Sequence, residues 1–82
     1  PNPFNPVTTI SYTIVRPGHL TLKIYNVRGE LVRTLIDGHV DQSSAITWDG
    51  SDDAGAKVAS GVYFTEARMG GDVRVGKMAL VK

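Results

Sequence analysis

The 82-residue chain contains no cysteine, so a disulfide framework, a thiolate zinc site and a cysteine nucleophile are all excluded. Nine Lys plus Arg stand against eight Asp plus Glu, a net charge of +1. That balance carries no global electrostatic footprint for nucleic acid or for an anionic membrane. The longest uninterrupted apolar run is Met78 to Val81, far too short to insert in a bilayer. The leading segment Pro1-Asn2-Pro3-Phe4-Asn5-Pro6 lacks the basic and apolar regions of a signal peptide. If the protein is exported, its signal is expected upstream in a longer precursor or at the other end. Helix signals are nearly absent, because no segment sustains a 3.6-residue period over ten residues.

What is present is glycine as punctuation and β-branched residues between. Nine glycines divide the chain into short segments. Val7 to Val15 is the clearest strand, with seven of nine residues β-branched and Ile10, Tyr12 and Ile14 alternating onto one face. After the Pro17-Gly18 turn, His19 to Val27 repeats the pattern with Leu20, Leu22 and Ile24 inward. Glu30 to Ile36 would also suit one face of a short helix. Its length favours a strand with a bulge, closed by Asp37-Gly38. Ser43 to Trp48, a brief strand at Lys57 to Ala59, Gly61 to Met69 and Asp72 to Val81 complete the set. Gly70-Gly71 suits a tight hairpin between the last two.

Seven short strands with turns every eight to twelve residues predict an all-β fold, a seven-stranded antiparallel immunoglobulin-like sandwich. The length allows one domain over residues 1–82. Such a domain buries only about 60–65% of its unfolded surface, so its stability depends on close packing. Trp48 is the expected core anchor, and its indole N–H will need a partner. Tyr63, near the start of a late strand, stands where a tyrosine corner would.

Candidate chemistry is sparse. Asp49, Ser51 and Asp53 have the one-three-five spacing of a calcium loop, but Ala54 and Ser60 occupy the positions that an EF-hand gives to Gly and Glu. A looser calcium site from Asp49, Asp52, Asp53 and backbone carbonyls is one reading. The other is a set of Asx-turns with Gly50 and Gly55 at positive φ, which the abundance of Asp and Gly favours. His19 and His39 each sit beside a glycine and read as solvated turn residues. No nucleophile elbow occurs, and so small a fold is expected to offer little concave volume for a substrate. No catalytic residue and no cofactor are expected. Arg68, Arg74, Lys77 and Lys82 gather toward the C-terminal hairpin, as solubilising edge charges or as a docking surface.

Taken as a set, these residues resemble a known family. The opening Pro1 to Pro6 is followed by Thr8-Thr9-Ile10-Ser11-Tyr12 and Leu22-Lys23-Ile24-Tyr25-Asn26-Val27. Then come Trp48-Asp49-Gly50-Ser51-Asp52-Asp53, Ala59-Ser60-Gly61-Val62-Tyr63-Phe64 and Lys77-Met78-Ala79-Leu80-Val81-Lys82. The order is similar to the C-terminal sorting domains of proteins secreted by the type IX system of the Bacteroidetes. It also resembles the immunoglobulin-like domain of the flagellar hook-capping protein.

The sorting resemblance implies a non-catalytic address label. Residues 1–6 would be a Pro/Asn-rich lead-in from an upstream cargo domain. The partners would be the outer-membrane type IX translocon and a sortase-like peptidase. The label would cross the periplasm and end at the cell surface or in the medium. The family's recognition residues carry over onto Gly61, Tyr63, Lys77, Met78, Leu80 and Lys82. The alternatives are a structural immunoglobulin-like module working through protein contacts, and a carbohydrate-binding sandwich for which Tyr25 is the best outward aromatic.

Overall fold

The computed structural model describes residues 7–81. The leading Pro-Asn segment and Lys82 lie outside them. Six strands form: β1 (Thr8–Tyr12), β2 (Gly18–Tyr25), β3 (Leu31–Val40), β4 (Ser44–Trp48), β5 (Gly61–Met69) and β6 (Asp72–Leu80). β1 and β4 make a two-stranded sheet, and β3-β2-β5-β6 make a four-stranded one, all pairs antiparallel.

The strand count corrects the expectation of seven. Lys57 to Ala59 makes only one bridge, Ser51↔Lys57, across its own loop. Its backbone is instead tied back by Val58 N–H donating to the Gly50 carbonyl at 2.9 Å. A chain folded onto its own loop has no neighbouring strand along which to extend a ladder.

The period-two reading of β2 holds in detail. Leu20, Leu22 and Ile24 are buried while Thr21, Lys23 and Tyr25 alternate outward. Burying side chains of this size contributes about 1.5–3 kcal/mol each. β1 is shorter than the β-branched run, yet Ile10, Tyr12 and Ile14 alternate half-buried against exposed Ser11 and Thr13.

The ambiguous third segment is a bulged strand. Its ladder with β2 skips twice, between Leu22↔Ile36 and Lys23↔Thr34 and between Ile24↔Arg33 and Tyr25↔Leu31. Leu35 and Val32 are the extra residues. Each bulge resets the alternation. Residues three apart, Val32 and Leu35, therefore both reach the core, which is why the segment also looked helical. β3 does not close at Asp37-Gly38 but runs on to Val40, because β2 pairs with it out to Gly18↔Val40.

The β5–β6 hairpin turns in two residues, with Met69↔Asp72 as the last pair. Gly70 has φ +60° and Gly71 has no positive φ, the pattern of a type II′ turn.

The core lies between the two layers. Ile24, Val32, Tyr63 and Leu80 from the larger sheet meet Trp48 from the smaller one, and Ile10, Leu35, Val58 and Met78 pack around them.

Candidate functional site

Two features concentrate polar and packing constraints: the loop after Trp48 and the terminal strand that closes over it. The loop's conformation begins with glycine. Gly50 is buried at φ +78° and Gly55 turns the tip at φ +89°. Around these glycines the aspartates act on the backbone. Asp49 accepts hydrogen bonds from the Ser51 N–H and hydroxyl. Asp52 accepts from the amides of Ala54 and Ala56, at 3.0 and 2.9 Å. Asp53 accepts from the Thr34 amide at 3.0 Å. The bonds of Asp49 and Asp52 to amides two residues on are the Asx-turn contacts that the sequence suggests, whereas the Asp53 bond ties the loop to β3.

Arg33 ties the loop to β3. Its guanidinium donates to the Ser51 hydroxyl at 2.9 Å and to the Asp52 carbonyl at 3.1 Å. Lys57 donates to the Asp49 carbonyl at 2.9 Å. The hydrogen bond from the Ser51 hydroxyl, foremost, holds the Asp49 carboxyl below its ordinary 3.8. Partial burial opposes this, while the Ser51 amide, Lys57 and Arg33 act with the hydroxyl. Asp49, Asp52 and Asp53 thus point at different donors and do not converge. Among the described residues no group of three His, Cys, Asp or Glu side chains is placed to hold a metal ion.

Beneath the loop, the Trp48 indole N–H donates to the Ser51 carbonyl at 2.8 Å, which supplies the partner its burial requires. Tyr63 donates its hydroxyl to the Ala59 carbonyl, four residues upstream, at 2.6 Å. That is the tyrosine-corner contact. No buried side-chain nitrogen or oxygen among the described residues lacks a partner.

The residues carried over from the sorting resemblance fall into two groups. Tyr63, Met78 and Leu80 belong to the core assembly around Trp48. Gly61 opens β5 directly opposite Leu80. Lys77 is exposed on the other face, opposite Phe64. Lys82 lies outside the described residues. The β5–β6 register is unbroken, so Gly76 introduces no bulge and the period-two assignment of faces stands.

Three expectations need correction. His19 and His39 are not turn residues. They face each other in the β2–β3 ladder, and each bonds an aspartate, Asp37 at 2.7 Å and Asp41 at 2.9 Å. Tyr25 is not a lone aromatic, because the β2–β5 ladder sets Phe64 opposite it. Concave volume is also larger than the chain length suggests. A depression of about 440 Å³ on the outer sheet face is lined by Tyr25, Asn26, Phe64, Glu66 and Val75. A second, of about 590 Å³, lies between the β1–β2 connection and the β5–β6 hairpin.

Sequence reasoning missed Arg33 and the placing of Phe64, and it read Ser51 as a calcium-loop position rather than as a partner of Trp48, Arg33 and Asp49. Arg33 lies between the two bulges, where alternation gives no face. Ser51 is buried by the Trp48 hydrogen bond, and Phe64 is placed by a cross-strand register that no local pattern encodes.

Two antiparallel layers, a Trp core and a tyrosine corner define an immunoglobulin-like module. The family described as FlgD Ig-like domain matches residues 8–70, and the chain belongs to that family. The structure is similar to that of FlgD from P. aeruginosa, with a TM-score of 0.71 and 21% identity over 90% of this chain. The match covers 58% of that protein's chain, and at this identity the likeness shows the fold alone. No curated protein matches the chain significantly.

Proposed function

We propose that this chain is a structural, non-catalytic immunoglobulin-like module, hook-cap-like in kind, that works through lateral protein contacts. The observation that carries this reading is the FlgD Ig-like family match across residues 8–70. It covers every strand from β1 through β5. The loop polar groups are spent on holding the fold rather than facing a substrate, which agrees with a scaffold. In this reading residues 1–82 are one domain and residues 1–6 lead in from a preceding one.

A second reading is a type IX sorting label. It is favoured by one feature of β6. Met78 and Leu80 anchor the strand from one face, while among the described residues no strand pairs with its outer edge, the edge that a translocon would engage in this reading. That label would pass through the periplasm to the cell surface, and a peptidase would separate it from its cargo.

One pair of experiments separates the two. Residues 1–82 are fused to a reporter in a host with type IX machinery, and the domain is deleted from its native protein. A structural module leaves the reporter in the periplasm. Its deletion permits export but abolishes incorporation of the native protein into its assembly. Delivery of the reporter to the surface would overturn the structural reading.

A further inference from the structure

The two edges of the four-stranded sheet are finished differently. β3, at one edge, carries two bulges and is capped by the acidic loop. The Asp53 amide donates to the Val32 carbonyl at 3.0 Å, and the Thr34 amide donates to the Asp53 carboxylate at 3.0 Å. Bulges and loop cover are how native sheets block unwanted pairing. β6, at the other edge, has neither. It is nine residues long, contains no proline, and pairs with β5 in continuous register from Gly61↔Leu80 to Met69↔Asp72. Among the described residues no strand lies beyond it. Its outer face exposes Val73, and Val75 at 68%. Arg74 and Lys77 put charge on this edge, yet its length, its regular register and its two exposed valines leave it a template for another strand.

We propose that β6 is a self-association edge. A second copy of this chain pairs antiparallel with it about a two-fold axis at Val75, joining the two four-stranded sheets into one. The side chains select that register. A two-fold axis normal to the sheet sets the central residue against its own copy. Centred on Arg74, two guanidinium groups oppose each other. Centred on Lys77, two ammonium groups do. Like charges directly opposite disfavour both. Centred on Gly76, the middle of the interface has no side chains, and Asp72 meets the buried Leu80. Centred on Val75, a β-branched residue meets its copy, which is a favourable cross-strand pair. Val73 then faces Lys77, Arg74 faces Gly76 and Asp72 faces Met78, so no like charges are opposed. The Lys77 stem can lie along Val73 with its ammonium in water.

This inference deepens the structural reading by naming one protein contact, and it rests on that reading only for its biological use. Its test is separate from the export experiment, so either can fail alone. The chain has no cysteine, so one introduced thiol reports the register. Sedimentation velocity on the purified chain is expected to show a reversible monomer–dimer equilibrium. Val75→Cys is expected to form a disulfide with its copy under mild oxidation, because cross-strand Cα atoms about 4.5–5.5 Å apart are within disulfide reach. Val73→Cys, facing Lys77, stays reduced. Val75→Lys weakens the dimer by roughly tenfold or more while leaving the circular dichroism of the monomer unchanged. A chain that is monomeric at every concentration overturns the proposal, as does equal crosslinking at positions 73 and 75. Protection from hydrogen exchange of those β6 amides that do not bond β5, in such a monomer, would assign the edge to another segment of the same chain.

Discussion

The Tyr63 ring meets the Trp48 indole edge to face, with centroids 5.2 Å apart and planes inclined at 69°. Each aromatic also sends one polar hydrogen to a backbone carbonyl of the connection between β4 and β5: Trp48 to Ser51, Tyr63 to Ala59. The pair therefore joins the two sheets and fixes both ends of that connection. Aromatic pairs of this geometry contribute about 0.5–1.5 kcal/mol beyond their burial.

Tyr63→Phe keeps the ring and removes the hydroxyl. The expected loss is about 1 kcal/mol, with the urea midpoint lowered and the slope unchanged. Trp48→Ala is expected to lose about 3–5 kcal/mol, enough to unfold so small a domain. A Tyr63→Phe variant as stable as the parent would show that the Ala59 contact contributes nothing.

Gly50 and Gly29 provide a matched comparison. Both have φ near +78°, but a Cβ on Gly50 would sit 3.4 Å from the Leu80 side chain, whereas one on Gly29 meets nothing within 4 Å. Alanine at Gly29 should cost about 1 kcal/mol from backbone strain alone. Gly50→Ala should cost about the same, because its methyl would only come into ordinary contact with Leu80. A clearly lower thermal midpoint for the Gly50 variant would show that Leu80 has to shift.

Gly76 lies opposite Thr65, and a Cβ there would approach the Thr65 Oγ1 to 2.7 Å. Gly76→Ala is expected to destabilise the fold by about 1–3 kcal/mol through overpacking. Adding Thr65→Ala should restore most of that loss, and a double-mutant cycle by chemical denaturation measures the coupling. Purely additive effects would place the cost in the backbone instead.

Asp49 carries a pH dependence of known sign. Its folded-state pKa lies below the ordinary 3.8, so it contributes stability above that value and loses it as pH falls through the folded pKa. Asp49→Asn should lower stability at neutral pH and flatten the acid limb below about pH 4. Thermal melts of both proteins from neutral to acidic pH test this, and parallel curves would contradict it.

Calcium offers a further check on the loop. Its three carboxylates are held apart on separate amides and on Arg33. Millimolar calcium is expected to leave the melting midpoint unchanged, as read by calorimetry. A saturable rise would show that the loop rearranges to bind.

Local sequence determined which residues could be strand, which must turn and which face of a strand is apolar. Leu20, Leu22 and Ile24, the Gly70-Gly71 hairpin and the need of Trp48 for a partner were all legible, because they depend on side-chain period, glycine φ and the cost of an unpaired donor. The tertiary structure alone decided what lies opposite what. It set Phe64 beside Tyr25, aimed Arg33 into the acidic loop, carried β3 past Asp37-Gly38 and left β6 without an outer neighbour among the described residues. Strand pairing joins residues far apart along the chain, and its register follows from the packing of whole sheets rather than from any local pattern.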